Sequence, residues 1–247
     1  GNGFTCALTT AGGVKCWGSN TYGQLGDGTR TSQPTPVDVV GLASGVQSVS
    51  AGLEHTCAVT AGGSVKCWGR NGNGQLGDGT LVDSWSPGDV PSLNADIRTV
   101  AAGGGHTCAL TAHGGVKCWG AYEGSRGSPP TEVIHTTPQD VMSDGSGITA
   151  IAAGGHHTCA VSSIGGATCW GNNHFGQLGD GKAWIESSGP VDVIGLGGSM
   201  QAISGGDAHS CGLTAAGSVA CWGENLFGQR GVNPGWTPGC VVVTPLP

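Results

Sequence analysis

The sequence predicts an all-β protein assembled from five copies of one small antiparallel sheet, and three observations predict it. The triplet Cys-Trp-Gly begins at Cys16, Cys67, Cys118, Cys169 and Cys221, at intervals of 51, 51, 51 and 52 residues. Glycine supplies 50 of the 247 residues without a Gly-X-Y period, which excludes collagen and leaves abundant tight turns. No segment sustains the apolar spacing of a helix. A repeat of this length belongs to propellers, solenoids or arrays.

Within a unit the elements follow a fixed order. A short run such as Val46 to Ser50 leads into Ala51-Gly52. His55 to Thr60 and Val65 to Gly69 flank Gly62-Gly63, which reads as a β-hairpin. The glycine-rich stretch Gly74 to Thr80 comes next. A proline-marked run, Pro36 to Val39 in the first unit, ends the unit as an edge strand, because proline cannot donate to a ladder. Four short strands per unit make the expected architecture a β-propeller, or a propeller-like arc, of five four-stranded blades in a single domain. Counted from the hairpin, the repeats span 1–51, 52–102, 103–153, 154–205 and 206–247.

The hairpin fixes a second pattern. A turn centred on Ala11-Gly12 sets Cys6 opposite Cys16 and Leu8 opposite Val14. Directly opposed, non-hydrogen-bonded positions lie roughly 4.5–5.5 Å apart, close to the Cα separation of about 4.4–6.8 Å that a disulfide requires. The expected bonds are Cys6–Cys16, Cys57–Cys67, Cys108–Cys118, Cys159–Cys169 and Cys211–Cys221. Each closes a short loop and stabilises by at most about 3 kcal/mol in the chain-entropy account. Such bonds persist in oxidising surroundings, which points to a secreted or cell-surface protein. Zinc fits poorly, since paired ligands ten residues apart on one hairpin lack the usual knuckle spacing. Cys240 is left over, in register with Asp38, Asp89, Asp140 and Asp192, as either an intermolecular partner or an inert thiol.

Charge and motifs remove several functions. With 9 Lys+Arg against 16 Asp+Glu the chain carries about −7, so a nucleic-acid face is not expected. No apolar run approaches the roughly 20 residues of a membrane span. No nucleophile elbow, P-loop or His-Glu-x-x-His is present, and neither catalysis nor a cofactor is expected. His55, His106, His157 and His209 recur once per unit and are expected to bond backbone carbonyls rather than gather around a metal. His156, His157 and His174 sit near one another in sequence, without enough to make a metal site the expectation. Asp27, Asp78 and Asp180 in Gly-Asp-Gly suit turns. Asp38 and its register mates are expected to be solvated.

Two recurring motifs carry a resemblance. Ala-Ala-Gly-Gly-Gly-His-Thr-Cys-Ala-Leu at 101–110 and Trp-Gly-Ser-Asn-Thr-Tyr-Gly-Gln-Leu-Gly at 17–26 resemble the regulator-of-chromosome-condensation repeat, which covers essentially the whole chain. The resemblance implies a propeller, usually of seven four-stranded blades. It implies no single role, since related propellers include a chromatin-bound exchange factor, a plant ultraviolet photoreceptor and a secreted β-lactamase inhibitory protein. The exchange factor relies on a basic face that this acidic chain lacks, and the inhibitor-like branch is nearest in compartment. Departures from the family pattern mark expected blade-specific surfaces. There are five repeats and paired cysteines, and the glycine motif changes to Gly124-Ser125-Arg126-Gly127 and Gly228-Gln229-Arg230-Gly231. Phe4 stands where other units have His, and Tyr122 stands where they have Asn20, Asn71, Asn173 and Asn225. Trp85, Trp184 and Trp236 lie outside the Cys-Trp register as candidate interface anchors, or as covers for their own blade edges.

Gly1 aligns with Gly52, so the first unit lacks the counterpart of 43–51 that would supply a leading strand. A longer repeat protein, a ring with one thin blade, and a strand borrowed from a neighbouring subunit would each account for it. The expected function is a non-catalytic extracellular binding or structural module, a protomer of a larger and even filamentous assembly completed by strand addition, with protein or self as partner. The alternatives are a soluble protein-binding or inhibitor propeller acting through blade loops, and a carbohydrate-binding protein or enzyme.

Overall fold

The computed structural model describes residues 1–93, 96–122, 133–196 and 199–235, and the backbone of 241–243. Every described strand belongs to one of five meanders. The first sheet has three strands, β1 (Phe4–Leu8), β2 (Val14–Gly18) and β3 (Gln33–Asp38). The second runs β4 (Val46–Ala51), β5 (His55–Thr60), β6 (Val65–Gly69) and β7 (Ser84–Asp89). The third runs β8 (Ile97–Ala102), β9 (His106–Thr111), β10 (Val116–Gly120) and β11 (His135–Met142). The fourth runs β12 (Ile148–Ala153), β13 (His157–Ser162), β14 (Ala167–Gly171) and β15 (Ser187–Asp192). The fifth runs β16 (Met200–Gly205), β17 (His209–Thr214), β18 (Val219–Gly223) and β19 (Val241–Val243). No helix occurs among the described residues. The fold is therefore all-β with five blade-like sheets, the first one strand thinner, as the repeats predict.

The hairpins form where glycine allows them. The β5–β6 turn carries Gly63 at φ 78°, a left-handed conformation costly for other residues, and the β1–β2 turn carries Gly12 at 77°. The resulting register sets Cys57 against Cys67 and Thr56 against Trp68. The leading strand pairs with the hairpin that follows it, Ala51 opposite Thr56, so a sheet starts one strand before the repeat counted from the hairpin. In the first sheet, no strand lies beside the outer edge of β1 among the described residues.

The chain divides into two compact units, one holding the first three sheets and the other the last two. In the first unit, one apolar layer joins Val14, Leu25 and Val39 to Val46, Ala58 and Trp68, and another joins Val59, Val65 and Leu76 to Ile97, Ala109 and Trp119. In the second unit, Val161, Ala167 and Leu178 meet Met200, Ala220 and Trp222. At about 1.5–3 kcal/mol for each buried large aliphatic side chain, these inter-sheet layers are the main favourable contribution to folding.

Candidate functional site

The repeated residues assemble into latches between successive sheets. The Gln24 carbonyl accepts from Trp68 Nε1 at 2.9 Å and from Thr56 Oγ1 at 2.9 Å, both on the next sheet. The Gln75 carbonyl takes Trp119 at 2.8 Å and Thr107 at 2.9 Å. The Gln177 carbonyl takes Trp222 at 2.9 Å and Ser210 at 3.4 Å. Glycine two residues after each glutamine makes room for the indole: a Cβ on Gly26 would sit 2.6 Å from Trp68 Nε1, and on Gly77 2.7 Å from Trp119 Nε1. At Trp68, Trp119 and Trp222 this explains the motif Gly-Gln-x-Gly and the tryptophan beside the second cysteine as two halves of one contact.

The histidines complete the latch and correct an expectation. His55 Nε2 lies 2.8 Å from Thr107 Oγ1, and His157 Nε2 lies 2.7 Å from Ser210 Oγ. Each partner is a hydroxyl of the following sheet, where a backbone carbonyl was expected. The sheets approach closely, a Cβ on Gly52 falling 2.4 Å from the Gly103 carbonyl oxygen, so the imidazole reaches across. Thr107 gives its proton to the Gln75 carbonyl, so its oxygen accepts from His55 Nε2–H, and His55 Nδ1 has no hydrogen-bond partner among the described residues. Burial, and secondarily the charge of His106, lowers the His55 pKa to about 3, which keeps this donor neutral. Its role is structural.

The aspartates divide into two kinds. Asp27 accepts from Thr29 N at 2.9 Å, Thr29 Oγ1 at 2.8 Å and Asn20 Nδ2 at 3.2 Å, a turn brace repeated at Asp78. Asp38, Asp89 and Asp140 are largely exposed, as expected, and are also bonded to Lys15, Lys66 and Lys117 at 2.7, 2.6 and 2.5 Å. The lysine precedes each second cysteine, so the strand register brings the pair together; exposure holds each to about 0–1 kcal/mol. Among the described residues, no group of three or more His, Cys, Asp or Glu could hold a metal ion.

All five cysteine pairs face each other across their hairpins, with sulfurs 2.07 to 2.12 Å apart and Cα atoms 4.1 Å apart. Cys240 and Trp236 lie outside the described residues. Phe4 and Tyr122, expected at the surface, are buried. Phe4 replaces the imidazole with an apolar ring that packs in the layer against the second sheet, so this departure serves the core.

Trp85 and Trp184 are exposed, 46% and 64%, and they differ in setting. Trp85 is tied to the preceding sheet. Its carbonyl accepts from Gly28 N at 3.0 Å, the turn at Gly23 lies against its Cα, and Arg30 stacks over its ring at 5.7 Å. Arg30 Nε is anchored on the Thr21 carbonyl at 2.7 Å. Beside it, Arg70 stacks over Tyr22 at 5.1 Å and pairs with Glu54, which raises the pKa of its guanidinium. Leu81 and Val82, shortly before Trp85 in the chain, are exposed as well. Trp184 rests on its own sheet, with its ring 3.5 Å from that of His174 and its backbone at φ 65°. Sequence reasoning missed Tyr22, Arg30 and Arg70. The available signal was that each arginine follows a repeated motif, Gly-Asp-Gly-Thr or Cys-Trp-Gly, at a position other units fill differently.

The RCC1-like domain profile matches residues 1–245. The ultraviolet-B receptor UVR8 of Arabidopsis thaliana is 35% identical over 223 residues, covering 89% of this chain and 50% of that protein. The probable E3 ubiquitin-protein ligase HERC6 of Homo sapiens is 35% identical over 95% of this chain and 24% of its own length. Among solved structures, human WBSCR16 superposes with a TM-score of 0.84 at 26% identity, over 99% of this chain and 65% of that one. Yeast RCC1 (Prp20), in a crystal structure with Kap60, superposes at 0.79 with 21% identity, which speaks to fold alone. The chain spans half or less of the length of the curated relatives named here.

Proposed function

The chain belongs to the RCC1-like domain family, and on that premise we propose that it is a non-catalytic, protein-binding propeller module that works outside the cell. The observation that carries the binding role is the contiguous surface of Tyr22, Arg30, Arg70 and Trp85 across the first two sheets. Tryptophan, tyrosine and arginine dominate interface hot spots, because they combine large apolar area with directional donors. Stacking, the Thr21 carbonyl under Arg30 and the Glu54 carboxylate beside Arg70 hold the two arginines in place before any partner arrives, which lowers the entropy cost of binding. Five cysteine pairs support the extracellular setting, since thiols stay reduced in the cytosol.

Differential capture tests the role. The wild-type chain and an Arg30→Ala/Trp85→Ala variant, equally folded, are immobilised and offered extracellular protein. A protein retained by the first and lost by the second supports the reading, and identical retention sinks it. Alkylation before and after reduction tests the compartment argument: ten of the eleven cysteines stay protected until reductant is added.

A further inference from the structure

The charges on the first two sheets are matched with one exception. Lys15 and Lys66 each sit on an aspartate, and Arg70 sits on Glu54. Arg30 forms no ion pair among the described residues, and its one hydrogen bond there runs from Nε to the Thr21 carbonyl. That bond and the Trp85 ring hold the plane of the guanidinium, while the fork of its two terminal nitrogens has no described partner. The acids on either side are committed elsewhere. Asp27 accepts from Thr29 N, Thr29 Oγ1 and Asn20 Nδ2, and Asp83 accepts from Asn71 N at 2.7 Å.

The joint between sheets does not need this pair. At the next joint Gly79 N donates to the Thr136 carbonyl at 2.9 Å, the same backbone contact that Gly28 N makes with Trp85 at 3.0 Å. There Leu81 holds the place of Arg30 and Thr136 the place of Trp85. The scaffold is common to both joints, whereas the unpaired cation and its exposed indole belong to one. Stacking on a ring covers a face of a guanidinium and leaves its in-plane donors free, so one arginine can hold an aromatic ring and an anion together.

We infer that Arg30 is a carboxylate receptor: its terminal nitrogens take both oxygens of an aspartate or glutamate side chain in a segment of the partner, and an apolar side chain next to that acid covers the exposed part of Trp85. This rests on the protein-binding reading and names what the partner offers. A polyanion such as a sulfated glycan or a nucleic acid fits less well. The chain carries about −7, so its field repels a string of negative charges, while a single carboxylate on an otherwise neutral segment meets little of that repulsion. Trp85 and Tyr22 both offer ring area, so a segment that continues on both sides of its acid gains more contact than a chain end.

Titration with short peptides tests it. The probes are acetyl-Ala-Leu-Glu-Leu-Ala-amide, the same peptide with Gln in place of Glu, and that Gln peptide with a free C-terminal carboxylate. The Glu peptide is expected to bind about tenfold more tightly than either Gln peptide, and to weaken as salt is added. Arg30→Ala, verified as folded by thermal melting, is expected to erase the difference. Arg30→Lys is expected to keep only a small part of it, because an ammonium is a point charge without the fork. Arg98→Ala, at an exposed cation of the third sheet, is expected to leave it intact. Equal binding of the Glu and capped Gln peptides, no binding of any probe at millimolar concentration, or a Glu preference that survives Arg30→Ala overturns the receptor. Tighter binding of the free C-terminus overturns the side-chain source. The underlying reading is judged separately: a protein captured through Arg30 and Trp85 that is still captured after its carboxyl groups are amidated removes the carboxylate and leaves protein binding standing.

Discussion

Trp68 and Trp85 belong to the same sheet and to opposite parts of the design. Trp68 is fully buried, bonded to a carbonyl of the preceding sheet, and has counterparts at Trp119 and Trp222 that do the same. Trp85 also leans on the preceding sheet, yet half of it faces solvent and no other unit has tryptophan at its position. One touches glycine and carbonyl, the other arginine and a loop. The difference teaches that a residue's recurrence separates holding the sheets together from offering something to a partner, even when the chemistry of the side chain is identical.

The sharpest way to break that contrast is to truncate the buried ring. Trp68→Ala removes a large buried side chain and leaves the Gln24 carbonyl with one donor, so a loss of about 3–5 kcal/mol is expected in chemical denaturation. A loss no larger than that of Trp85→Ala would erase the distinction. Next comes the hairpin beside it. Cys57→Ala/Cys67→Ala removes one cross-strand bond and is expected to cost up to about 3 kcal/mol, while the same pair of changes at Cys6 and Cys16 changes a sheet that is already thinner.

Acid is a subtler probe of the same buried layer. In the unfolded chain His55 takes up a proton near its ordinary value of 6.5, whereas the folded chain refuses it until about pH 3. The folded state is therefore the one with the depressed value. Its stability contribution is complete above pH 6.5 and lost progressively as pH falls toward 3. Urea melts across that window should show midpoints falling with acid, and His55→Gln should flatten the slope. The smallest effect on stability belongs to the surface. Trp85→Ala and Arg30→Ala are expected to shift unfolding by no more than about 1 kcal/mol, since exposed stacking contributes about 0.5–1 kcal/mol, while removing most partner capture.

Much of this architecture was legible in the residues, and the reason is periodicity. The spacing of Cys57 and Cys67 around Gly62-Gly63 fixes a hairpin register, and the pairing follows from local geometry alone. The latch was not legible, because a glutamine meets a tryptophan 44 residues downstream through its backbone carbonyl, which leaves no trace in side-chain type. The same limit applies to His55, whose hydroxyl partner lies 52 residues away on another sheet. The surface aromatics were half legible: Trp85 and Trp184 are exposed as their non-repeating positions implied, but Phe4 and Tyr122 show that a departure from the repeat can equally serve packing. Burial depends on which sheet face a residue shares with its neighbours, and one unit read by itself does not contain that information.

The Gln24–Trp68 contact has a consequence for how such a protein can change size. Its donor sits in one unit and its acceptor one unit earlier, so a duplicated block of one period arrives with both an acceptor for its successor and donors for its predecessor. Copying or deleting a whole period leaves every remaining junction chemically matched, and the gene can lengthen or shorten by recombination between its own repeats without inventing a new contact.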